Sequence, residues 1–276
     1  MLKPIFIAAL ALLSSCASTQ AVIRQPDNVF AWKDYWLAHY DHELSAAREA
    51  VTREAAVRPV AAARGAGRVV VLVPGISIGR EMFAPMAARL ERDGFRVVIW
   101  EDPALISTGI ARAANDLARF VARVRAENGG RRVDLVAECT GGVAARFYLQ
   151  ELDGAASVEH LVTFVSPHHG TVPALIAAGV TSWQGLEDLE RGSAFMQVVN
   201  ARPLPKQTQV TSIYSCDDAL LMPRDTAALE GARNVELCGG PRAYGHFDGF
   251  WDATIYGHIV ESLQASGAVG TESAQR

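Results

Sequence analysis

The chain has 276 residues, half of them apolar and 20% charged, the balance of an ordinary globular protein with one large core. Its 26 basic and 30 acidic side chains give a formal charge of -4. They are spread without a long basic block, which excludes nucleic acid as an expected partner.

The sequence begins Met1-Leu2-Lys3, continues as the apolar run PIFIAALALL and then reads SSCAS. Charge, hydrophobic stretch and small residues in that order predict an export signal over residues 1–20, with an apolar run too short to span a bilayer permanently. The ending LSSC at Leu13–Cys16 resembles the lipobox of bacterial lipoproteins, which implies lipidation at Cys16; cleavage near Ala17 or Ala21 is the alternative. Either route predicts an exported protein, periplasmic, secreted or tethered to a membrane surface as a lipoprotein.

Residues 21–67 are expected to form an N-terminal helix and a linker. Val29, Trp32, Trp36, Leu37, Tyr40 and Leu44 recur at roughly helical spacing, an aromatic stripe suited to packing or to a membrane surface. The Ala- and Gly-rich piece Val60–Gly67 reads as the linker.

From Arg68 the pattern alternates between short β-branched runs and longer helical stretches, which predicts an α/β fold with a mainly parallel sheet flanked by helices. The expected strands are RVVVLVP, RVVIWE, RVDLVAE, HLVTFVS, QVTSIYS and NVELCG. Helices are expected at Glu81–Arg92, Ile110–Glu127, Gly142–Leu152 and Phe250–Leu263. The domain spans 68–266, followed by a flexible tail at 267–276. A helical interval at about 168–206 breaks the alternation and is expected to cover the crevice at the strand ends as a lid.

The stretch VDLVAECTGG, Val133–Gly142, joins a strand to a helix with almost no loop. Ala137, Gly141 and Gly142 leave room for a sharp turn that lifts Cys139 over the strand ends, with a helix N-terminus behind it that favours an anion. The stretch resembles the nucleophile elbow of α/β-hydrolases, G-x-S-x-G, in the secreted bacterial lipase version where alanine replaces the first glycine. Here cysteine stands where serine is expected.

Further segments resemble the same lipases in the same order. VVVLVPGI at Val69–Ile76 matches the strand and turn that precede the oxyanion hole, with Pro74 in place of the usual histidine. LVTFVSPHHGT, DLERGSAFMQVVN, TSIYSCDDALLMP and GARNVELCGGPRAYGH match segments that follow the elbow, the last two carrying the acid and the base. The resemblance implies the α/β-hydrolase fold and a triad of Cys139, His246 and Asp218, with Asp217 as the acid's neighbour. It also implies an oxyanion hole from the backbone N–H groups of Ile76 and Thr140.

Of the remaining histidines, His258 falls inside the last helix, His39 and His42 in the N-terminal helix, and His168 and His169 in an expected solvated loop. The pair HH does not supply metal-ligand spacing, so neither a metal nor a cofactor is expected. Glu138 adjoins the nucleophile; its charge either opposes a thiolate or orients a water or a basic partner.

The resemblance further implies that the strands ending at Cys216 and Cys238 are neighbours, so these cysteines are expected to pair as a disulfide and leave Cys139 free. The function it implies is a lipase- or esterase-type hydrolysis of acyl esters or lipids through a thioester on Cys139. Two alternatives stand beside it. One is an acyltransferase using the same cysteine, as in polyhydroxyalkanoate synthases; the other is a non-catalytic lipoprotein on a hydrolase scaffold.

Overall fold

A computed structural model describes residues 67–265 except 77, 78, 103, 172–182, 219 and 241, together with 45, 48, 49, 52, 53 and 65. The expected signal segment with Cys16, the aromatic helix through Leu44 and the tail at 267–276 lie outside the described residues.

Six apolar runs form the sheet: β1 (Val69–Val73), β2 (Arg96–Ile99), β3 (Val133–Glu138), β4 (Val158–Phe164), β5 (Gln209–Ser215) and β6 (Arg233–Leu237). They pair in parallel in the order β2-β1-β3-β4-β5-β6. Central strands of such a sheet are covered on both faces and read as unbroken apolar runs. Accordingly all five residues of β1 and all six of β3 are buried. The edge strand β6 instead shows Arg233, Asn234 and Glu236 to solvent, and the two charges among them discourage pairing with another chain.

Helices cover the two faces: α1 (Ala84–Arg92), the short α2 (Leu105–Thr108), α3 (Ile110–Glu127), α4 (Cys139–Glu151), α5 (Gln184–Asp188), α6 (Ala194–Ala201) and α7 (Ala253–Gln264). Val69, Val71 and Val73 face Leu117 and Val121 of α3 and Val143 of α4 in one core. Val70 and Leu72 point the other way, toward Met86 and Leu90 of α1 and Ile259 and Leu263 of α7 in a second. The period of two along β1 is therefore read out as two cores, one on each side of the sheet.

Three helix boundaries differ from the sequence expectation. The first expected helix begins as a 3-10 turn, Arg80–Phe83, and becomes α-helical at Ala84, with Pro85 in the first turn where a missing N–H costs nothing. The elbow helix starts at Cys139 rather than Gly142, because the cysteine itself makes the turn. The last helix starts at Ala253, because the Asp252 side chain accepts the N–H groups of Thr254 and Ile255 and so caps it.

Part of the interval 168–206 lies outside the described residues. Its helices α5 and α6 are anchored to the body: Leu189 and Met196 join the first core, and Asp188 Oδ2 accepts the N–H of Ile110 at 2.7 Å, capping α3. Among the described residues no helix is long and apolar enough to cross a membrane.

Candidate active site

The chain leaves β1 outward to β2 and then returns to build β3 on the other side of β1. That reversal opens a crevice at the carboxyl ends of β1 and β3, where parallel α/β sheets bind ligands. Cys139 stands there as the first residue of α4, directly after Glu138, the last residue of β3.

Cys139 has φ 48°, left-handed backbone that a side-chain-bearing residue adopts at a cost of about 1–2 kcal/mol. Close packing holds it there. A Cβ on Gly141 would lie 2.5 Å from the carbonyl oxygens of Val73 and Pro74, and one on Gly142 2.1 Å from Ser166 Oγ. The two glycines let α4 press against the ends of β1 and β4, so the strained turn has nowhere to relax. Thr140 occupies the first turn of α4, where a backbone N–H has no carbonyl four residues earlier in the helix. The loop Pro74–Ile76 touches the elbow directly: a Cβ on Gly75 would stand 2.8 Å from Cys139 Cβ. The N–H groups of Ile76 and Thr140 thus belong to segments that both abut Cys139.

Asp218 follows β5 and is buried. Its Oδ1 accepts the N–H groups of Leu220 and Leu221 at 2.8 and 3.3 Å, which pins the carboxylate. Its Oδ2 lies 2.7 Å from Nδ1 of His246, a buried ring on the loop between β6 and α7. Asp217 points to solvent and its N–H donates to Ser215 Oγ. Burial works against a charge on His246, but the Asp218 carboxylate bonded to its Nδ1, and next the nearby Cys139 sulfur, hold its pKa well above the ordinary histidine value.

Glu138, only 1% exposed, turns its side chain into the same site. Its Oε2 accepts the Gly75 N–H at 2.8 Å, and its Oε1 lies 3.5 Å from His246 Nε2. The carboxylate oxygen, the Cys139 sulfur and the His246 ring nitrogen all lie within 4.8 Å of one another. Of the two roles open to Glu138 in the sequence, orienting a basic partner fits this geometry.

Cys216 and Cys238, at the ends of β5 and β6, are joined by a disulfide with Cα atoms 5.3 Å apart. Asp218 lies two residues beyond one half of this bridge, and the His246 loop leads away from the other. Cys139 is the free cysteine among the described residues.

The other histidines sit elsewhere. His258 lies on α7 beside Glu261, and His39 and His42 fall outside the described residues. His169 is half-buried, its Nε2 bonded to the carbonyl of Ala228. The expectation of a solvated loop fails for His168, which is wholly buried with Nε2 3.0 Å from Thr163 Oγ1. Burial first, then the charges of Arg146 and His169, hold its pKa well below the ordinary value. A second buried acid–histidine pair, Asp134 with His160 at 2.7 Å, begins at the opposite end of β3, near Arg68 and the end of α7. Among the described residues no cysteine, serine or threonine side chain is bonded to that ring, and its contacts fasten the end of α7 to the sheet.

Sequence reasoning did not single out Arg146. It is buried on α4, has no carboxylate partner among the described residues, and donates to the carbonyls of His168 and Val199 and to Asn200 Oδ1, at 2.9–3.0 Å. Burial lowers its pKa to about 10. This guanidinium ties the elbow helix to the carboxyl end of α6, so α6 is fixed relative to Cys139. Its signal in the sequence was an arginine inside the apolar run GGVAARFYL.

No protein-family model matches the chain. Among solved structures, lipase B of Aspergillus fumigatus superposes with a TM-score of 0.66 at 19% identity, covering 76% of this chain and 56% of the lipase. The chain thus spans little more than half the length of that protein. The mature form of the Bacillus licheniformis lipase BlEst2 gives 0.61 at 17% identity, covering 76% of this chain and 96% of the lipase. A Listeria innocua gene product gives 0.57 at 11% identity, covering 74% and 97%. Together with the parallel sheet and the strand–elbow–helix crossing, these likenesses assign the chain the α/β-hydrolase fold.

Proposed function

We propose that the protein is a carboxylic-ester hydrolase of lipase or esterase type that works through Cys139, His246 and Asp218 and an acyl-thioester intermediate. The observation that carries this reading is the left-handed turn that sets Cys139 within 4.8 Å of a histidine whose other nitrogen is bonded to Asp218 at 2.7 Å. The reported structures with lipase in their names support the substrate class.

In the first half-reaction Cys139 Sγ attacks the ester carbonyl carbon and its proton passes to His246 Nε2. The carbonyl π electrons move to oxygen, and the N–H groups of Ile76 and Thr140 are the donors assigned to that oxyanion. Collapse breaks the carbon–oxygen bond, and the leaving alkoxide takes the proton from His246. Water then attacks the thioester, giving a proton to His246; carbon–sulfur cleavage returns that proton to the sulfur and releases the acid. Asp218 keeps the Nδ1 proton in place throughout and offsets the charge on the imidazolium.

We also propose that the protein acts outside the cytoplasm, exported by its first 20 residues and tethered to a membrane surface through Cys16. The Cys216–Cys238 disulfide supports the compartment, since such bonds persist where the surroundings are oxidising.

Steady-state release of nitrophenol from short- and long-chain nitrophenyl esters tests the activity. Turnover in water that disappears in Cys139→Ala supports hydrolysis. Turnover that needs an added alcohol or amine redirects the reading to acyl transfer. Unchanged turnover in Cys139→Ala rejects the cysteine mechanism.

A further inference from the structure

We infer that Glu138, Cys139 and His246 form a three-ligand site for a thiophilic divalent cation of the zinc class, whose occupation switches the proposed hydrolase off. Binding of the cation stands on geometry alone; its inhibitory effect rests on the proposed function.

Tetrahedral zinc takes nitrogen and oxygen ligands at about 2.0–2.2 Å and sulfur at about 2.3 Å, so neighbouring ligand atoms stand about 3.4–3.6 Å apart. His246 Nε2 and Glu138 Oε1 are separated by 3.5 Å, long for a hydrogen bond and right for one edge of such a tetrahedron. The Cys139 sulfur lies within 4.8 Å of both partners.

The surroundings match what metal ligands require. A ligating histidine generally gives its other ring nitrogen to a carboxylate, and Asp218 holds His246 Nδ1 at 2.7 Å. A ligating carboxylate is itself hydrogen-bonded, and the Gly75 N–H holds Glu138 Oε2 at 2.8 Å. Glu138 and His246 are buried, whereas Cys139 is partly exposed, so a cation held by all three would have its fourth ligand, a water, on the Cys139 side.

Charge completes the argument. A carboxylate beside a thiolate opposes its formation, whereas a doubly charged cation between them balances both. Sulfur and imidazole prefer zinc to magnesium or calcium. A bound cation takes up the sulfur lone pair and the Nε2 lone pair, the two groups that acyl transfer needs.

The test uses untagged full-length protein freed of metal with a chelator and then titrated with Co²⁺ alone, followed by Zn²⁺. The expected result is one equivalent of cobalt with a near-ultraviolet thiolate-to-cobalt charge-transfer band that zinc displaces. The sulfurs of Cys216 and Cys238 are bonded to each other, so a band that Cys139→Ser removes reports Cys139 and not Cys16. Cys139→Ser removes the band. Glu138→Gln keeps an oxygen for the Gly75 N–H and weakens cobalt binding at least tenfold, with an unchanged near-ultraviolet circular dichroism spectrum. Ester turnover of the wild type falls in step with zinc occupancy and returns with chelator. A missing band, or a band that Glu138→Gln leaves at full affinity, overturns the site. Turnover untouched at full occupancy overturns the inhibition. An absence of turnover in metal-free protein counts against the proposed hydrolase and leaves the binding result intact.

Discussion

Gly141 lies inside a helix, where exchanging glycine for alanine ordinarily stabilises by about 1 kcal/mol. The packing at the elbow reverses that sign. An alanine Cβ there would lie 2.5 Å from the backbone oxygens of Val73 and Pro74, whereas carbon–oxygen contacts settle at about 3.3 Å or more. The end of β1 has to retreat by roughly 0.8 Å, and no side chain can swing aside to spare it. Overpacking of this kind costs about 1–3 kcal/mol, so Gly141→Ala is expected to lose up to about 2 kcal/mol net of the helical gain. For a domain of this size that lowers Tm by up to roughly 8 °C. The displaced segment carries Gly75, bonded to Glu138, and Ile76, the proposed oxyanion donor. A shift of most of an ångström there is expected to lower kcat by about 10- to 100-fold. Gly257→Ala is the control: this glycine is also helical, with nothing within 4 Å of an added Cβ, so it should gain about 0.5–1 kcal/mol at unchanged turnover. Differential scanning calorimetry and steady-state kinetics on both variants decide the matter. A Gly141→Ala protein as stable and active as Gly257→Ala would refute the packing argument.

Two further outcomes follow from the site. Because Asp218 sustains the raised pKa of His246, Asp218→Asn should lower that pKa, as read by NMR titration of the imidazole with chelator present. The charged ring's contribution to stability should be complete below the unfolded value of about 6.5 and fade as pH rises through the higher folded value, so the wild-type advantage over Asp218→Asn in Tm should shrink on going alkaline. Replacing both Cys216 and Cys238 by serine releases a loop of sequence separation 22, worth about 3 kcal/mol in the unfolded chain. Reductant should therefore lower Tm in the wild type and not in the double variant, and an unresponsive wild type would contradict the bridge.

The strands were legible because a sheet covered on both faces writes its core as continuous β-branched runs, of which VVVLV is the plainest. The elbow was legible because a turn without a loop admits only small neighbours. Helix starts were read less well, since they depend on single capping contacts such as Asp252 with Thr254 and Ile255. Arg146 and His168 escaped because their partners are backbone carbonyls and a threonine hydroxyl, groups that no spacing rule marks. The grouping of Glu138 and Cys139 with His246 escaped for a different reason. Metal-ligand patterns are sought at short spacing, and here the third member arrives from a loop more than 100 residues later.

The central claim is that Cys139 carries the acyl group, and the most direct measurement is peptide mass spectrometry of metal-free protein quenched within a turnover of nitrophenyl butyrate. The account predicts one butyryl group on the peptide containing Cys139, removed by hydroxylamine and lacking in Cys139→Ala, with accumulation in His246→Ala much slower. An acyl group on any other residue, or steady turnover with no covalent adduct under rapid quench, would contradict it.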